Sequence, residues 1–301
     1  MSRPARDLPS WRSILFVPAN VEKFVDKAHT RGADAVILDL EDSVTMAEKA
    51  TARTAVAGAA AKVAAHGVHV LVRINRPWRL AVRDLEAAVG EHVHTVVVPK
   101  VMNADHVRFI EEVIGELETE AGLPGGHTGI LAFVEGPEAL ANAAAIAAAS
   151  ERLVGLFLGA DDFSLETGMQ PGAEGLLGPS QQVVFAARRA GILPLGFVGS
   201  ISDYTDLDGF RATVRQARAL GFAGALAIHP DQVAIMNEEF MPSAEEVEHA
   251  RGVLRAYEDA QARGRGAAEY QGKMIDAPIV ARARETLRRY EESMGSDSID
   301  R

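Results

Sequence analysis

Residues 129–162 read GILAFVEGPEALANAAAIAAASERLVGLFLGADD. Two short apolar runs, Gly129–Glu135 and Leu153–Gly159, enclose an Ala-rich segment, Ala139–Ser150. Continuous apolar runs of this length suit strands buried on both faces. The segment between them suits a buried helix, and it is shorter than the roughly 18–20 apolar residues that a membrane span takes. Each run closes on acid: Glu135 ends the first, and Asp161 and Asp162 follow the second.

The same unit recurs outward in both directions. Ser13–Ala19, Ala35–Leu40, His69–Asn75 and Thr95–Lys100 precede it, and Ile192–Val198 and Gly224–Pro230 follow it, which makes eight runs. Segments with helical spacing separate them, among them Val21–Arg31, Met46–His66, Asn103–Ala121 and Pro179–Ala190. Eight strand–helix alternations predict an α/β fold, a (β/α)8 TIM barrel with its parallel sheet closed on itself. A doubly wound open sheet gives no reason for eight units. In six of the eight units the first strongly polar residues fall at the C-terminal end of the strand: Asp39, Glu41 and Asp42; Arg73 and Asn75; Lys100; Glu135; Asp161 and Asp162; His229. In barrel enzymes that rim carries the chemistry.

Beyond the eighth unit, Ala244–Arg263 has helical spacing, Gly264–Gly272 reads as a Gly-rich break, and Asp276–Tyr290 reads as a helix. Asp276 is placed to cap that helix, with Pro278 in its first turn. The expected division is a barrel over 1–240 and a C-terminal helical extension or lid over 241–301, with a polar, frayed tail at Glu291–Arg301.

Composition narrows the function. The chain has 301 residues, 48% of them hydrophobic, and a net charge of −11. So acidic a chain offers no excess of cations to displace phosphate counterions, which argues against nucleic-acid binding. There is no cysteine, so disulfides, thiolate catalysis and Cys-based zinc sites are excluded. Without a signal-type or membrane-spanning apolar run, the expectation is a cytoplasmic protein with no membrane association.

The rim residues carry the chemical argument. Glu135 closes an apolar strand, and a lone buried carboxylate is expensive, so it needs a cation. Adjacent strand ends lie side by side, which brings Glu135 near Asp161 or Asp162, and spacing alone leaves open which of the two faces it. Either acid also suits a cap for a helix starting near Phe163. Oxygen ligands without His or Cys suit Mg2+, or Mn2+, over zinc. Glu41 and Asp42 read either as helix N-terminal acids or as partners of metal-bound water. Arg73 lies inside a buried strand and must meet an anion, a neighbouring acid or a substrate oxyanion. Lys100 has the position of a Schiff-base lysine, but an ion pair with a rim acid is the simpler reading. His229 is a lone histidine, and Ser43, Ser200 and Ser202 show no triad spacing.

These motifs match a known family. RSILFVPAN from Arg12, AVILDLEDSV, LVRINRP, VVVPKV, FVEGPEAL, FLGADDFSLETGM, AIHPDQVAIMNEEFMPS and GKMIDAPIVARA occur in family order over nearly the whole chain. The sequence resembles the citrate lyase β-subunit-like (CitE-like) branch of the HpcH/HpaI aldolase and citrate lyase superfamily, related to malyl-CoA and citramalyl-CoA lyases. The resemblance implies that Glu135 and Asp162 ligate Mg2+, that Arg73 contacts the thioester carbonyl, and that Glu41 and Asp42 order the metal's waters. It implies further that Arg12 faces substrate or cofactor near the barrel mouth, alongside Lys100 among the substrate-side residues. Asp276, in the MIDAP segment, matches an acid that a neighbouring subunit contributes as proton donor or acceptor, in a homotrimer or hexamer.

The implied chemistry is a retro-Claisen cleavage of a short β-hydroxyacyl-CoA (malyl-, citramalyl- or citryl-CoA-like) to acetyl-CoA and a 2-keto acid, with CoA entering as part of the substrate. Two rivals share most of the residues: a metal-dependent aldolase of free 2-keto acids, which would not need Asp276, and a non-catalytic paralogue. One departure bears on substrate. Relatives often carry Asp-Gly near the end of the seventh strand, where this chain has Val198-Gly199.

Overall fold

A computed structural model describes residues 8–202 and 204–296. The strands β1 (Ser13–Pro18), β2 (Ala35–Asp39), β3 (His69–Arg73), β4 (Thr95–Val98), β5 (Gly129–Val134), β6 (Leu153–Leu158), β7 (Leu193–Gly196) and β8 (Ala225–Ala227) form one parallel sheet. Its order is β7-β6-β5-β4-β3-β2-β1-β8. The ends of that order meet: Leu195 bridges to Gly224, and the Gly196 amide donates to the Gly224 carbonyl at 3.1 Å. The sheet is thereby the (β/α)8 barrel that eight alternations predict.

Helices follow the strands in turn: α1 (Glu22–Val25), α2 (Lys49–Ala64), α3 (Trp78–Ala88) and α4 (Ala104–Glu120) after β1 to β4. The Ala-rich segment after β5 is two short helices, α5 (Pro137–Ala141) and α6 (Ala143–Ala147), where the sequence suggests one. They meet at Asn142, whose amide group donates to the carbonyls of Glu138 and Met102. The helices α7 (Ala160–Thr167) and α8 (Ala173–Ala190) follow β6, α9 (Leu207–Leu220) follows β7, and α10 (Pro230–Glu239) follows β8. No helix among the described residues is long and apolar enough to cross a membrane.

Inside the barrel, Ile14, Ile37, Leu71, Val97, Leu131, Phe133, Phe157, Leu195 and Leu226 form the packed plug with Trp11. At the N-terminal ends of the strands, acids and bases are matched. Arg12 grips Asp34 through two bonds of 3.0 and 2.7 Å. Buried Glu118 takes both Arg152 nitrogens at 2.7 Å and the amides of Thr128 and Gly126.

The chain divides into two compact units at Glu238/Glu239. In the second unit, α11 (Ala244–Ala262) opens with a capping box, Ser243 accepting from the Glu246 amide and Glu246 from the Ser243 amide. The Gly-rich stretch is a correction to the expected break: β9 (Ala268–Tyr270) and β10 (Lys273–Ile275) form an antiparallel hairpin. Gln271 and Gly272 turn it at φ 52° and 75°, the positive-φ pair that two-residue hairpin turns require. Asp276 caps α12 (Ala277–Ser296) as expected, accepting from the Ile279 amide at 3.3 Å. Ala250, Val253, Ile275, Val280 and Ala283 form this unit's own core. The frayed tail read at Glu291–Arg301 lies beyond Ser296 outside the described residues, and α12 runs through its first part.

Barrel closure depends on Gly224 having no side chain, because a Cβ there would run into the Trp11 carbonyl oxygen. The atoms it would meet are all backbone, of Trp11 and Arg12, which leaves nothing soft to move. Gly224→Ala is expected to lower unfolding free energy by about 3 kcal/mol, the upper range for overpacking, with a matching fall in urea midpoint.

Candidate active site

Side chains along a strand alternate between its two faces. Ile37, Leu71 and Phe133 point into the barrel, so Asp39, Arg73 and Glu135, each two residues further on, point into it as well. They make the layer of side chains above the plug.

Arg73 and Asp39 lock together. The Arg73 Nε and Nη2 donate to Asp39 Oδ1 and Oδ2 at 2.6 and 2.7 Å, and the guanidinium lies 4.6 Å over the Phe16 ring. Ser43 adds its hydroxyl at 2.5 Å and its amide, and Glu41 adds its amide. Burial works to raise the Asp39 pKa, but the Arg73 bonds and charge, with the Ser43 and Glu41 donors, outweigh it and hold the carboxyl below its ordinary value. Arg73 Nη1 faces Glu41 at 3.1 Å, and exposed Asp42 lies 3.8 Å away. Of the two anions the sequence allowed Arg73, the structure pairs it with neighbouring acids.

Glu41 is buried and its Oε2 has no hydrogen-bond donor. Burial raises its pKa despite Arg73 and Lys100. Lys100 reaches Glu41 Oε1 at 3.1 Å and Asp162 at 3.8 Å. Burial tends to discharge Lys100, but Glu41's charge and hydrogen bond prevail and raise its pKa. Lys100 therefore stays an ammonium at neutral pH, which fits the ion-pair reading and not an imine-forming amine.

Glu135 is the least compensated acid of the rim. Its side chain is buried, and its pKa is pushed up to about 8 by burial first, then by the charges of Asp162 and Glu41. It has one strong donor: the Lys100 amide, 2.6 Å from Oε2. Lys100 holds φ at 50° to aim that amide, a backbone region that non-glycine residues seldom occupy and that clusters at functional sites. Across from it, Gly159 follows β6, and a Cβ there would collide with the Glu135 side chain.

α7 begins at Ala160, before the expected start near Phe163, with Gly159 at the cap position. Asp161 and Asp162 are therefore both inside the first turn and neither is the cap, which corrects that reading. Asp162 is the one paired with Lys100 and acting on Glu135.

Two hollows meet at Glu135 and Asp162. The inner chamber, of about 90 Å³, is lined by Phe16, Phe133, Phe157, Phe197 and Ile201 together with Arg73, Asp161 and Gly159. The outer cleft, of about 400 Å³, is lined by Arg76, Lys100, Met102 and Leu165. Glu135 and Asp162 border both.

Other expectations need correction. Arg12 precedes β1 and is held by Asp34, at the strand end opposite the acids, so it does not face the mouth. Val198 does not line the chamber. The alternation turns Phe197 and Gly199 inward, and Val198 is buried on the other side of the chain. His229, read as a lone histidine, stacks on Tyr204 at 4.9 Å and faces Asp231 at 3.5 Å. Sequence reading missed three supports: Ser43 on Asp39; Lys49, whose ammonium donates to the carbonyls of Leu40 and Glu41; and buried Asp84, which holds Asn75. Ser43 lies in the loop after β2, whereas Lys49 opens α2 and Asp84 lies within α3.

Among the described residues, no cluster of three or more His, Asp or Glu side chains is arranged to hold a metal. The fit of a divalent ion rests on Glu135 and Asp162. One is a buried carboxyl whose pKa stays raised despite the Lys100 charge, the other is a half-exposed acid beside it, and the missing Cβ of Gly159 keeps the space clear. Two carboxylates plus waters suit Mg2+, which keeps part of its hydration shell. The neighbouring charges agree, since Asp39, Glu41, Asp42, Glu135, Asp161 and Asp162 outnumber Arg73, Lys100 and Lys49.

Two measurements probe this arrangement. Asp39→Asn should cost about 3 kcal/mol at neutral pH, as when one partner of a buried pair is removed. A depressed carboxylate stabilises above its unfolded pKa of about 3.9 and loses that contribution as pH falls through its folded value. The gap between variant and wild type should therefore narrow in urea titrations below that pH. Gly159→Ala should displace Glu135 and weaken Mg2+ binding at least about tenfold by calorimetry, an effect of the size seen when groups supporting a metal site are changed, with the far-ultraviolet spectrum unchanged.

Residues 12–230 match the HpcH/HpaI aldolase/citrate lyase family. The chain is 38% identical to the citrate lyase subunit beta of Escherichia coli (strain K12), covering 94% of each. It is 35% identical to an L-malyl-CoA/beta-methylmalyl-CoA lyase of Cereibacter sphaeroides (strain ATCC 17025 / ATH 2.4.3), over 93% of this chain and 94% of the other. A crystal structure of CitE from Mycobacterium tuberculosis, in complex with magnesium, acetoacetate and coenzyme A, superposes with a TM-score of 0.75 at 32% identity, covering 93% of this chain and 97% of the other.

Proposed function

Because this chain belongs to the HpcH/HpaI aldolase/citrate lyase family, we propose that it is a Mg2+-dependent carbon–carbon lyase that cleaves a short β-hydroxyacyl-CoA to acetyl-CoA and a 2-keto acid. The observation that carries this reading is the buried Glu135 carboxyl facing Asp162 where the two hollows meet. The relatives' names and the CoA and magnesium of the CitE complex support the substrate class and the metal.

Bound Mg2+ supplies Lewis-acid polarisation of the keto-acid oxygens. Glu135 and Asp162 hold it. Lys100 fixes Glu135 through its amide and Glu41 through its ammonium, and so sets the acids' spacing. Arg73 has five N–H donors. Two bond Asp39, and Nη1 faces Glu41 as an ion pair without a hydrogen bond, so the remaining N–H groups can hold the thioester oxygen as it gains charge. Asp39 is a positioning residue that keeps the guanidinium plane fixed. The aromatic chamber walls exclude water from the reacting carbon. Asp276 Oδ1 accepts from the Ile279 amide, and its other oxygen takes the β-hydroxyl proton as the carbon–carbon bond breaks and returns it to the acetyl carbon of the enolate. We assign that role to Asp276 of a second copy, within a homotrimer or hexamer acting on the acyl-CoA pool of the cytoplasm.

With Mg2+ and malyl-CoA or citramalyl-CoA, the purified protein should release acetyl-CoA and a keto acid, and EDTA should abolish turnover. Glu135→Gln and Asp162→Asn should lower kcat at least about 100-fold, the scale of losing a transition-state charge stabiliser. Asp276→Ala should lose thioester cleavage while still binding Mg2+. If no short β-hydroxyacyl-CoA is cleaved with metal present, the reading fails. If Asp276→Ala is fully active on free keto-acid aldols, the reaction needs no CoA.

A further inference from the structure

We infer that Gln232 is a positioning residue for the reaction: from α10 it holds Ile201, and with it the β7 side of the inner chamber, against the reacting end of the substrate. The inference rests on the lyase reading above and adds to it a residue of the AIHPDQ segment that the acid site does not use.

The seam of the barrel is where such a support is needed. β7 stops at Gly196 and β8 at Ala227, and the two are joined through the bridge of Leu195 to Gly224. The chain after β7 still has to form a wall, because Phe197, Gly199 and Ile201 line the inner chamber together with Arg73, Glu135 and Asp162. Ser200 shapes a turn there, its Oγ accepting from the Ser202 amide at 3.0 Å. The Ile201 carbonyl in that turn meets Gln232.

Gln232 is fully buried, and its side-chain amide joins the two loops. Oε1 accepts from the amides of Ile228 and His229 at 2.9 and 3.1 Å, and Nε2 donates to the Ile201 carbonyl at 3.0 Å. Two N–H groups on one side and a carbonyl on the other permit a single orientation of the amide. The oxygen's part is ordinary. Gln232 is the third residue of α10, and a Gln or Glu there commonly accepts from the backbone just before the helix. The nitrogen's part is different, since a cap has no use for a donor aimed at another strand's loop. Glutamate would cap equally well, so it is the Ile201 carbonyl that calls for glutamine.

A displaced Ile201 would reshape the chamber beside Arg73, Glu135 and Asp162 without touching the two acids. Ligand binding in the chamber then suffers, and metal binding does not. A misplacement of about 1 Å can cost a reaction about 100-fold.

The test is isothermal titration calorimetry of the full chain with Mg2+, with pyruvate as the probe, comparing Gln232→Glu and Gln232→Leu with wild type. At about pH 8 the introduced carboxyl is ionised; it keeps the cap but sets an oxygen against the Ile201 carbonyl. Gln232→Glu is expected to bind pyruvate at least about tenfold more weakly than wild type, with Mg2+ affinity unchanged. On acidification to about pH 6 the buried carboxyl takes up a proton and donates to the Ile201 carbonyl as the amide does. The ratio of variant to wild-type affinity should then return toward one. The other titratable and charged groups nearby are His229 and Asp231 on the same segment, Tyr204 on His229, and the Arg211–Glu238 pair between α9 and α10. They are present in both proteins and cancel in that ratio. Gln232→Leu should lose pyruvate affinity at both pH values, and its amides over 199–202 and at Ile228 and His229 should exchange faster by hydrogen-exchange mass spectrometry. Should Gln232→Leu not fold, Gln232→Glu decides alone. Wild-type pyruvate affinity in Gln232→Glu at about pH 8, or a loss that acid does not reverse, overturns the inference and leaves the lyase reading intact. A parallel fall in Mg2+ affinity marks Gln232 as structural only and overturns it as well. If wild type binds Mg2+ but no pyruvate, the lyase reading falls and this inference with it.

Discussion

The chemistry of this barrel is governed by the strictness of strand alternation. A residue two places beyond an inward core side chain is also inward, whatever its polarity. Ile37 is followed by Asp39, Leu71 by Arg73 and Phe133 by Glu135, and the core rings cannot move without breaking the plug. The charges are thus held inside the barrel by apolar packing below them. Asp39 and Arg73 answer this by neutralising one another through two short bonds. Glu135 has no such partner, and it is this asymmetry that makes the top of the barrel a site and not a second plug. At the other end, Arg12 with Asp34 and Glu118 with Arg152 are matched pairs that leave nothing over.

An uncompensated buried acid destabilises the fold in the absence of a cation, because at neutral pH the protein must either keep a proton on Glu135 or bury a charge. The rim tolerates this through rigid donors. The Lys100 backbone is strained to φ 50° so that its amide reaches Glu135. The energy stored in that conformation, about 1–3 kcal/mol for a sparsely populated region, is offset by the amide–carboxylate bond and by the Lys100 ammonium on Glu41. Preorganisation of this kind costs nothing at the moment of reaction, since the dipoles are already aimed.

Much of this was legible in the sequence. Eight apolar runs alternating with helical segments suffice for the barrel, and the expense of leaving Glu135 unpaired singles that acid out. The choice of Asp162 over Asp161 came from family resemblance, because adjacent helical residues look alike until the start of α7 is known. The helix starts at Ala160, so the cap reading for either acid failed. The expectation for Arg12 comes from the resemblance alone, while its place one residue before β1 puts it at the N-terminal strand end, paired with Asp34. The Gly264–Gly272 break hid a hairpin because its strands are short, their sides polar and their turn, Gln271-Gly272, outside the common Asn-Gly and Asp-Gly signals.

Val198 shows how a departure from a family pattern has to be judged by parity. An acid missing from an inward position would change what the chamber binds. At Val198 the side chain points out of the chamber, and the neighbours Phe197 and Gly199 are the ones that line it. Gly199 leaves space and Phe197 fills it with an apolar ring, so the seventh strand sets the chamber's size and polarity through the residues flanking the one that differs. Phe133 and Phe157 pack with ring centroids 4.6 Å apart, and Arg73, lying over Phe16, ties the charged layer to the aromatic one.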